Sequence, residues 1–390
     1  MKKELGYILI NPYTIRKSRT GGVIGRLLSW GNLSLVAIRM FCPGRELVEE
    51  YAEALLSSGK TGNGQEKVIL EQIRGYLFQN YLPSEMQPSP RVMLLLLEGE
   101  NAIEELKRVV GHITRVSIGE TIRGTYGDYI EEGGEVKYFE PAVFTGSGRE
   151  ETIKEIKIWA KYSARDGGLL ENVISHPQGV EPDRTLVLIK PDSFQECSCR
   201  PGNVIDQFSQ TGLFIVGARI IRMGIEQAEK FYEPIKGRLV DKMKKQLIGP
   251  IRSFLDNSLD FPVPEGVEEL IAEELKAYKA DNQFDRILKF MTGRDPQETS
   301  QEERKKEGLE KCLALVYEGE EAVERIRKVL GETNPEEAAP GTVRKDFGKT
   351  IMMNVAHASD SPASARREMA IVRVEDDDIR RVIEQYYGKL

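Results

Sequence analysis

The chain holds three histidines, His112, His176 and His357, so imidazole chemistry has few places to reside. His112 follows a glycine that closes a helical pattern and His176 lies in a proline-containing linker; both read as surface residues. His357 differs. It stands in NVAHASDSPASARRE, where Asn354, Ser359, Asp360 and Ser361 surround it with hydrogen-bonding groups. Ser361-Pro362 reads as the N-cap and first residue of a helix, because a serine side chain accepts from orphan helical N–H groups and proline has no N–H to leave unpaired. Glu368 falls within that helix. An imidazole in this setting is either a structural hydrogen-bonding group or a catalytic one, and other segments shift the balance. Lys190 ends the strand pattern TLVLIK before Pro191, which projects an ammonium from a strand end, a common place for functional groups. Downstream, RKVLGETNPEEAAPGTVRKDFG carries Arg327, Thr333 and Arg344 around a loop dense in proline and glycine. A lysine, two arginines, a threonine, an asparagine and a histidine together suit a polyphosphate, since phosphoryl transfer depends chiefly on positioning and charge neutralisation.

The elements that must position these groups come in two copies. LLEGENAIEELKRVVG, Leu96 to Gly111, aligns without a gap with VYEGEEAVERIRKVLG, Val316 to Gly331. Each reads as strand, tight turn and amphipathic helix with apolar residues three and four apart. The openings also match, Tyr7 to Met40 against Leu186 to Met223, each giving a buried strand, a proline-stopped loop, a helix and a second strand. With 390 residues, two or three compact units are expected. The proline- and glycine-bearing HPQGVEP marks the join, giving domains at 1–175 and 176–390. The element order predicts an α+β fold: two tandem ferredoxin-like (βαββαβ) domains, with antiparallel sheets covered by helices and with helical insertions. In the second domain an insertion at about 243–309 reads as solvated helices in VEELIAEELKAY and QEERKKEGLEKC. In the first, Gly59-Lys60-Thr61 looks like the tail of a phosphate-binding loop, but Ala54 stands where the first glycine is required, which rejects that reading.

Composition narrows the classes further. With 40% apolar, 30% charged and 7% aromatic residues the chain reads as an ordinary globular protein. Lys and Arg number 55 against 62 Asp and Glu, a net charge of -7, so no basic footprint for nucleic acid is present and no sequence-specific nucleic-acid partner is expected. The longest apolar stretches, such as Val92 to Leu97, fall far short of the ~20 residues of a membrane helix, so no membrane partner is expected. The N-terminus reads as a first strand and the protein as cytoplasmic. Cys42, Cys197, Cys199 and Cys312 are too sparse for a disulfide scaffold, and Cys197 with Cys199 lacks the partners of a metal site.

LVLIKPD (Leu186 to Asp192), GETNPEEAAPGTVRKDF (Gly331 to Phe347) and NVAHASDSPASARRE (Asn354 to Glu368) are three well-separated signatures in one order, and through them the second half resembles the nucleoside diphosphate kinases. The resemblance implies a ping-pong transfer of the terminal phosphoryl group of ATP to a nucleoside diphosphate through a phosphohistidine at His357. It implies that Glu368 orients the ring with Ser359 beside it, and that Lys190, Tyr232, Arg327, Thr333, Arg344 and Asn354 bind nucleotide. It further implies Mg2+ bridging the phosphates rather than held in a protein cage, and assembly as a homo-oligomer. Two features depart from the family pattern. Leu239 and Val240 follow KGR where a base-stacking phenylalanine is expected, leaving Phe254 or Phe261 for that role, and the insertion falls in the same region. In the first half Asn11 replaces Lys190 and Phe144 replaces His357, while Lys107, Arg123 and Glu155 persist at the places of Arg327, Arg344 and Glu368. That half is expected to be inert and to serve as a structural partner. A second reading is a catalytically weak nucleotide-binding or regulatory protein of the same fold.

Overall fold

The computed structural model describes residues 3–58, 64–85, 87–114 and 119–389. The loop-like Gly59-Lys60-Thr61 and residues 115–118 lie outside the described residues. Strands are β1 (Glu4–Ile10), β2 (Ser34–Phe41), β3 (Val92–Gly99), β4 (Asp128–Glu132), β5 (Glu135–Glu140), β6 (Val143–Phe144), β7 (Asp183–Ile189), β8 (Phe214–Ile221), β9 (Cys312–Gly319) and β10 (Ala356–Ala358). Helices of the first half are α1 (Pro12–Arg16), α2 (Thr20–Trp30), α3 (Arg45–Ser58), α4 (Gly64–Asn80), α5 (Ala102–Val110), α6 (Ile122–Tyr126) and α7 (Arg149–Asp166). Those of the second are α8 (Arg200–Ser209), α9 (Ile225–Ser258), α10 (Val267–Thr292), α11 (Ala322–Leu330), α12 (Val343–Phe347), α13 (Pro362–Val372) and α14 (Ile379–Tyr387). None is long and apolar enough to cross a membrane, among the described residues.

Two four-stranded sheets share one topology, β2-β3-β1-β6 and β8-β9-β7-β10, which is the ferredoxin-like order expected from the repeat. The duplication extends to backbone detail. Asn101 and Glu321, at the turns opening α5 and α11, have φ of 52° and 51°. Gly111 and Gly331, closing the same helices, have φ of 83° and 84°, and a Cβ at Gly331 would lie 2.5 Å from Thr342 Oγ1. Only glycine fits such a left-handed, closely approached position. In the first half both faces of the sheet are buried. Leu5, Tyr7, Leu9, Leu94 and Leu96 pack with Tyr51 of α3, Leu77 of α4 and Trp159 of α7. A hairpin of β4 and β5, not anticipated from the sequence, precedes β6.

Both sheets belong to one compact unit, Met1–Ile220 with Cys312–Leu390. Within it the halves are interlocked. α2 packs on α8 through glycines; a Cβ on Gly202 would come 2.3 Å from Gly21 O. The last helix, α14, lies in the core of the first half through Ile379, Val382 and Ile383, although it belongs to the 176–390 stretch of sequence. Arg39 of β2 secures the approach to it, donating to Asp376 O at 2.7 Å and Glu375 O at 3.1 Å.

The second compact unit is Ile221–Lys311. It is a helical hairpin whose antiparallel course shows in a ladder of ion pairs: Lys236–Asp281 at 2.8 Å, Lys244–Glu273 at 2.7 Å and Arg252–Glu268 at 3.5 Å. VEELIAEELKAY is helical as expected, but QEERKKEGLEKC is not. Only Glu303–Lys305 forms a 3-10 turn, because Gly308 runs beside residues 222–223, donating its N–H to Arg222 O at 3.2 Å. A Cβ there would meet Met223 O at 2.2 Å.

Candidate active site

Pro191 forces the residue before it into extended backbone, and Lys190 accordingly has φ -82° and ψ 167° where β7 gives way to a short 3-10 turn. From there Lys190 Nζ donates to Asn354 Oδ1 at 2.6 Å and Met352 O at 3.3 Å. Asn354 Nδ2 continues the chain of bonds to Thr333 O at 3.0 Å. Burial, reinforced by the nearby Arg344 charge, lowers the Lys190 ammonium to about 8. It is still protonated at neutral pH.

His357 sits in the middle of β10, the edge strand, paired with Leu188. Its Nε2 lies 2.8 Å from Glu368 Oε2, and Ser359 Oγ donates to the same oxygen at 2.7 Å. Arg367 reaches the other carboxylate oxygen at 3.3 Å. A carboxylate only accepts, so Nε2 carries the proton and Nδ1 carries the lone pair. The carboxylate is delivered by α13, whose start is set as expected: Ser361 Oγ accepts from Ser364 N at 3.1 Å, with Pro362 at the first turn.

The backbone entering β10 is strained. Val355 has φ +74°, a left-handed conformation that costs a β-branched residue about 1–3 kcal/mol. Both flanking peptide groups hold it there. Its N–H donates to Asp192 Oδ2 at 3.1 Å, and its carbonyl accepts from Lys190 N at 2.8 Å. Burial raises the Asp192 carboxyl above its usual range, against the pull of the Lys190 charge. The sequence signal for Asp192 is a carboxylate just past Lys190-Pro191, on a turn that folds it back onto Val355.

Arg344 ties the remaining pieces together. It donates to Gly331 O at 3.0 Å and Ala356 O at 3.2 Å, with Thr333 Oγ1 at 3.5 Å. Arg327, exposed on the last turn of α11, lines with Thr333 and Arg344 an open groove of about 790 Å3. Lys190, Arg327, Thr333, Arg344, Asn354, His357, Ser359 and Glu368 are thus brought to one end of the second sheet. Tyr232 lies on α9 in the other compact unit, buried against Phe231 with ring centroids 5.0 Å apart. Phe254 and Phe261 are exposed in that same unit. His112 contacts Thr114 at 3.1 Å; His176, expected at the surface, is half-buried with Nε2 3.1 Å from Glu318, because the linker folds it against β9.

In the first half the backbone frame persists and the side chains differ. Ala142 has φ +59° where Val355 has +74°, and Arg123 donates to Gly111 O at 2.8 Å and Val143 O at 3.1 Å, as Arg344 does to its counterparts. Phe144 packs edge-on against Tyr76 and Tyr81, at 5.7 and 6.3 Å. Asn11 accepts from the Tyr81 hydroxyl at 2.7 Å. Glu155 accepts from the Tyr7 hydroxyl at 2.7 Å instead of facing an imidazole, and burial raises its carboxyl to about 7. Lys107 pairs with Glu104 at 3.0 Å.

The fold and site thus define an α+β protein of ferredoxin-like topology in which one of two sheets carries a histidine–carboxylate pair, with Arg344 linking that strand to a groove of mixed charge. The family model described as nucleoside diphosphate kinase matches residues 183–252 and 304–377, both in the second half and on either side of 253–303. The nucleoside diphosphate kinase of Kosmotoga olearia is 33% identical over 189 residues, covering 48% of this chain and 87% of the relative. That of Methanocaldococcus jannaschii is 30% identical over 195 residues, covering 50% of this chain and 96% of the relative. A solved structure of an NDP kinase from Pyrobaculum aerophilum is 26% identical with a TM-score of 0.33, over 49% of this chain and 95% of that one. The chain belongs to the nucleoside diphosphate kinase family.

Proposed function

We propose that the protein is an active nucleoside diphosphate kinase, transferring the terminal phosphoryl group of ATP to a nucleoside diphosphate through a phosphohistidine at His357. The observation that carries this reading is the Glu368–His357 hydrogen bond, which leaves the lone pair on Nδ1, while Arg344, which borders the groove with Arg327 and Thr333, bonds the carbonyl of the preceding Ala356. In the first half-reaction Nδ1 attacks the γ-phosphorus, an N–P bond forms, the bond to the bridging β-γ oxygen breaks, and ADP leaves with that oxygen. In the second, a terminal oxygen of the diphosphate takes the phosphoryl group and restores the free imidazole. Glu368 stabilises the positive charge that develops on the ring, and Ser359 fixes the carboxylate. Lys190 and the two arginines neutralise the transferring phosphates, with Thr333 and Asn354 as neutral hydrogen-bonding groups. Tyr232 is proposed as a nucleotide ligand on its sequence motif EKFYEPIKGR alone.

These nitrogen and hydroxyl donors suit phosphate oxygens rather than a hard cation. Among the described residues no cluster of three or more His, Cys, Asp or Glu is spaced to hold a metal. Mg2+ would therefore arrive with the nucleotide and would supply charge neutralisation to its phosphates, beside Lys190 and the two arginines. We assign residues 1–175 to an inert domain and 176–390 to the catalytic one, the first serving as the paired subunit of the second within one chain, with further homo-oligomers built from such pairs. Four free cysteines fit a reducing, cytoplasmic setting. Steady-state transfer from ATP to GDP tests the function: wild type turns over and His357→Ala does not, whereas equal rates would remove His357 from the mechanism.

The alternative of a weakly active regulatory protein keeps one observation in its favour, the aromatic filling of the first site, which preserves a fold after its chemistry has gone.

A further inference from the structure

We propose that a cavity between the two halves of the first compact unit is a binding site for a compact oxyanion of the phosphate class, distinct from the His357 site. The cavity holds about 200 Å3 and is bordered by Arg16, Thr20 and Arg91 of the first half and by Ser209, Phe214 and Tyr317 of the second. Its chemistry is set by two buried polar groups.

Arg91 is 8% exposed. Its guanidinium donates one hydrogen bond, to Ile215 O at 2.7 Å, and lies 5.2 Å from the centre of the Phe214 ring. Among the described residues no carboxylate comes within ion-pair distance of it. The carboxylate whose field reaches it, Glu318, is engaged by Arg184 at 2.7 Å and His176 at 3.1 Å. Burial lowers Arg91 only to about 10, so it stays charged at neutral pH. A buried guanidinium with five donors and a single acceptor is a costly arrangement unless an anion completes it. Independently, the Tyr317 hydroxyl is buried with no hydrogen-bond partner among the described residues. A buried hydroxyl in this state can donate to a group that enters the cavity. Arg16 supplies a second, exposed guanidinium at the cavity, and the Thr20 and Ser209 hydroxyls add donors.

Donors of this kind in a guanidinium fork match the oxygens of phosphate, which accepts in two parallel bonds. Size limits the ligand. The volume corresponds to about six or seven waters at ~30 Å3 each, and lies below the ~300–1,000 Å3 that drug-sized ligands occupy. Phosphate or pyrophosphate fits; a whole nucleotide does not. Because Arg91 already reaches across to β8, an anion held by Arg91 and Tyr317 bonds to both halves at once and stabilises their association.

The test is calorimetric titration of the full chain with inorganic phosphate and with pyrophosphate, in a Lys190→Ala background that weakens anion binding at the His357 site. The expected result is one anion bound per chain, weakened at least fivefold by adding Tyr317→Phe or Arg16→Ala. Tyr317→Phe removes an oxygen that has no protein partner, so its melting temperature without anion stays equal or rises, which controls for folding. No binding up to about 10 mM anion, or the same affinity in the double variants, would overturn the proposal.

Discussion

Phe144 and His357 occupy the same place in two sheets: Phe144 is paired with Leu9 on β1, and His357 with Leu188 on β7. The neighbouring pairs, Ile10 with Val143 and Ile189 with Ala356, keep the register. Lys190 is matched by Asn11 in the same way. One duplicated frame thus carries an imidazole in one sheet and a packed aromatic ring in the other.

Restoring the histidine alone should not restore a site. Phe144→His leaves Asn11 without a charge to offer and places an imidazole against Tyr76 and Tyr81. Phosphorylation from labelled ATP should stay at one group per chain, and stability should fall by about 2–4 kcal/mol from lost ring packing and a buried polar group. Denaturant unfolding and label stoichiometry measure both; two labels per chain would contradict the account.

The Glu368 carboxylate selects the tautomer. In Glu368→Gln the amide NH2 can donate to Nε2, which moves the ring proton to Nδ1, the nitrogen that must attack. The turnover number should fall about 10²–10⁴-fold, by analogy with tautomer loss in a catalytic triad, with a smaller effect on nucleotide affinity. A fall in affinity alone would assign Glu368 to binding.

Lys190 gives nucleotide binding a pH dependence. Its lowered folded-state value of about 8 means that the free protein loses this charge as pH rises through 8. The dissociation constant for ADP should rise up to about tenfold between pH 8 and 9, and Lys190→Ala should flatten the profile. For stability the sign is opposite: between about 8 and the ordinary lysine value the unfolded chain binds more protons, so unfolding free energy gains with pH across that window.

Glu155 does the reverse in the first half. Its carboxyl, raised to about 7, binds a proton in the folded state that the unfolded chain has already released, so stability present below pH 4.5 is lost as pH rises through 7. Glu155→Gln should raise the melting temperature at pH 8 by several degrees and change it little at pH 5. An equal effect at both values would show that Glu155 is not charged in the folded protein.

How much of this was legible in the sequence depended on whether a signal was local. The repeat was readable because Gly111 and Gly331 close helices in conformations that few other residues adopt, and the helix start at Ser361-Pro362 because capping is local chemistry. The first half's losses were readable for the same reason, as single replacements at aligned positions. The grip of Asp192 on Val355 was not, since it depends on a strained backbone 163 residues away. Nor was α9, which continues through Pro234 and Pro250, residues that ordinarily end or kink a helix. The non-helical course of QEERKKEGLEKC, despite its helical spacing, reflects tertiary packing of Gly308 overriding local preference. The crossing of α14 into the first half's core likewise has no local mark, because an amphipathic helix does not specify which sheet it covers.

A single phosphohistidine site in the second half can be checked by incubating wild type and His357→Ala with ATP labelled at the γ-phosphate and then adding GDP. An acid-labile phosphoprotein is expected in wild type only, discharged completely by GDP with label appearing in GTP. Label on His357→Ala, or wild-type label that survives GDP, would contradict it.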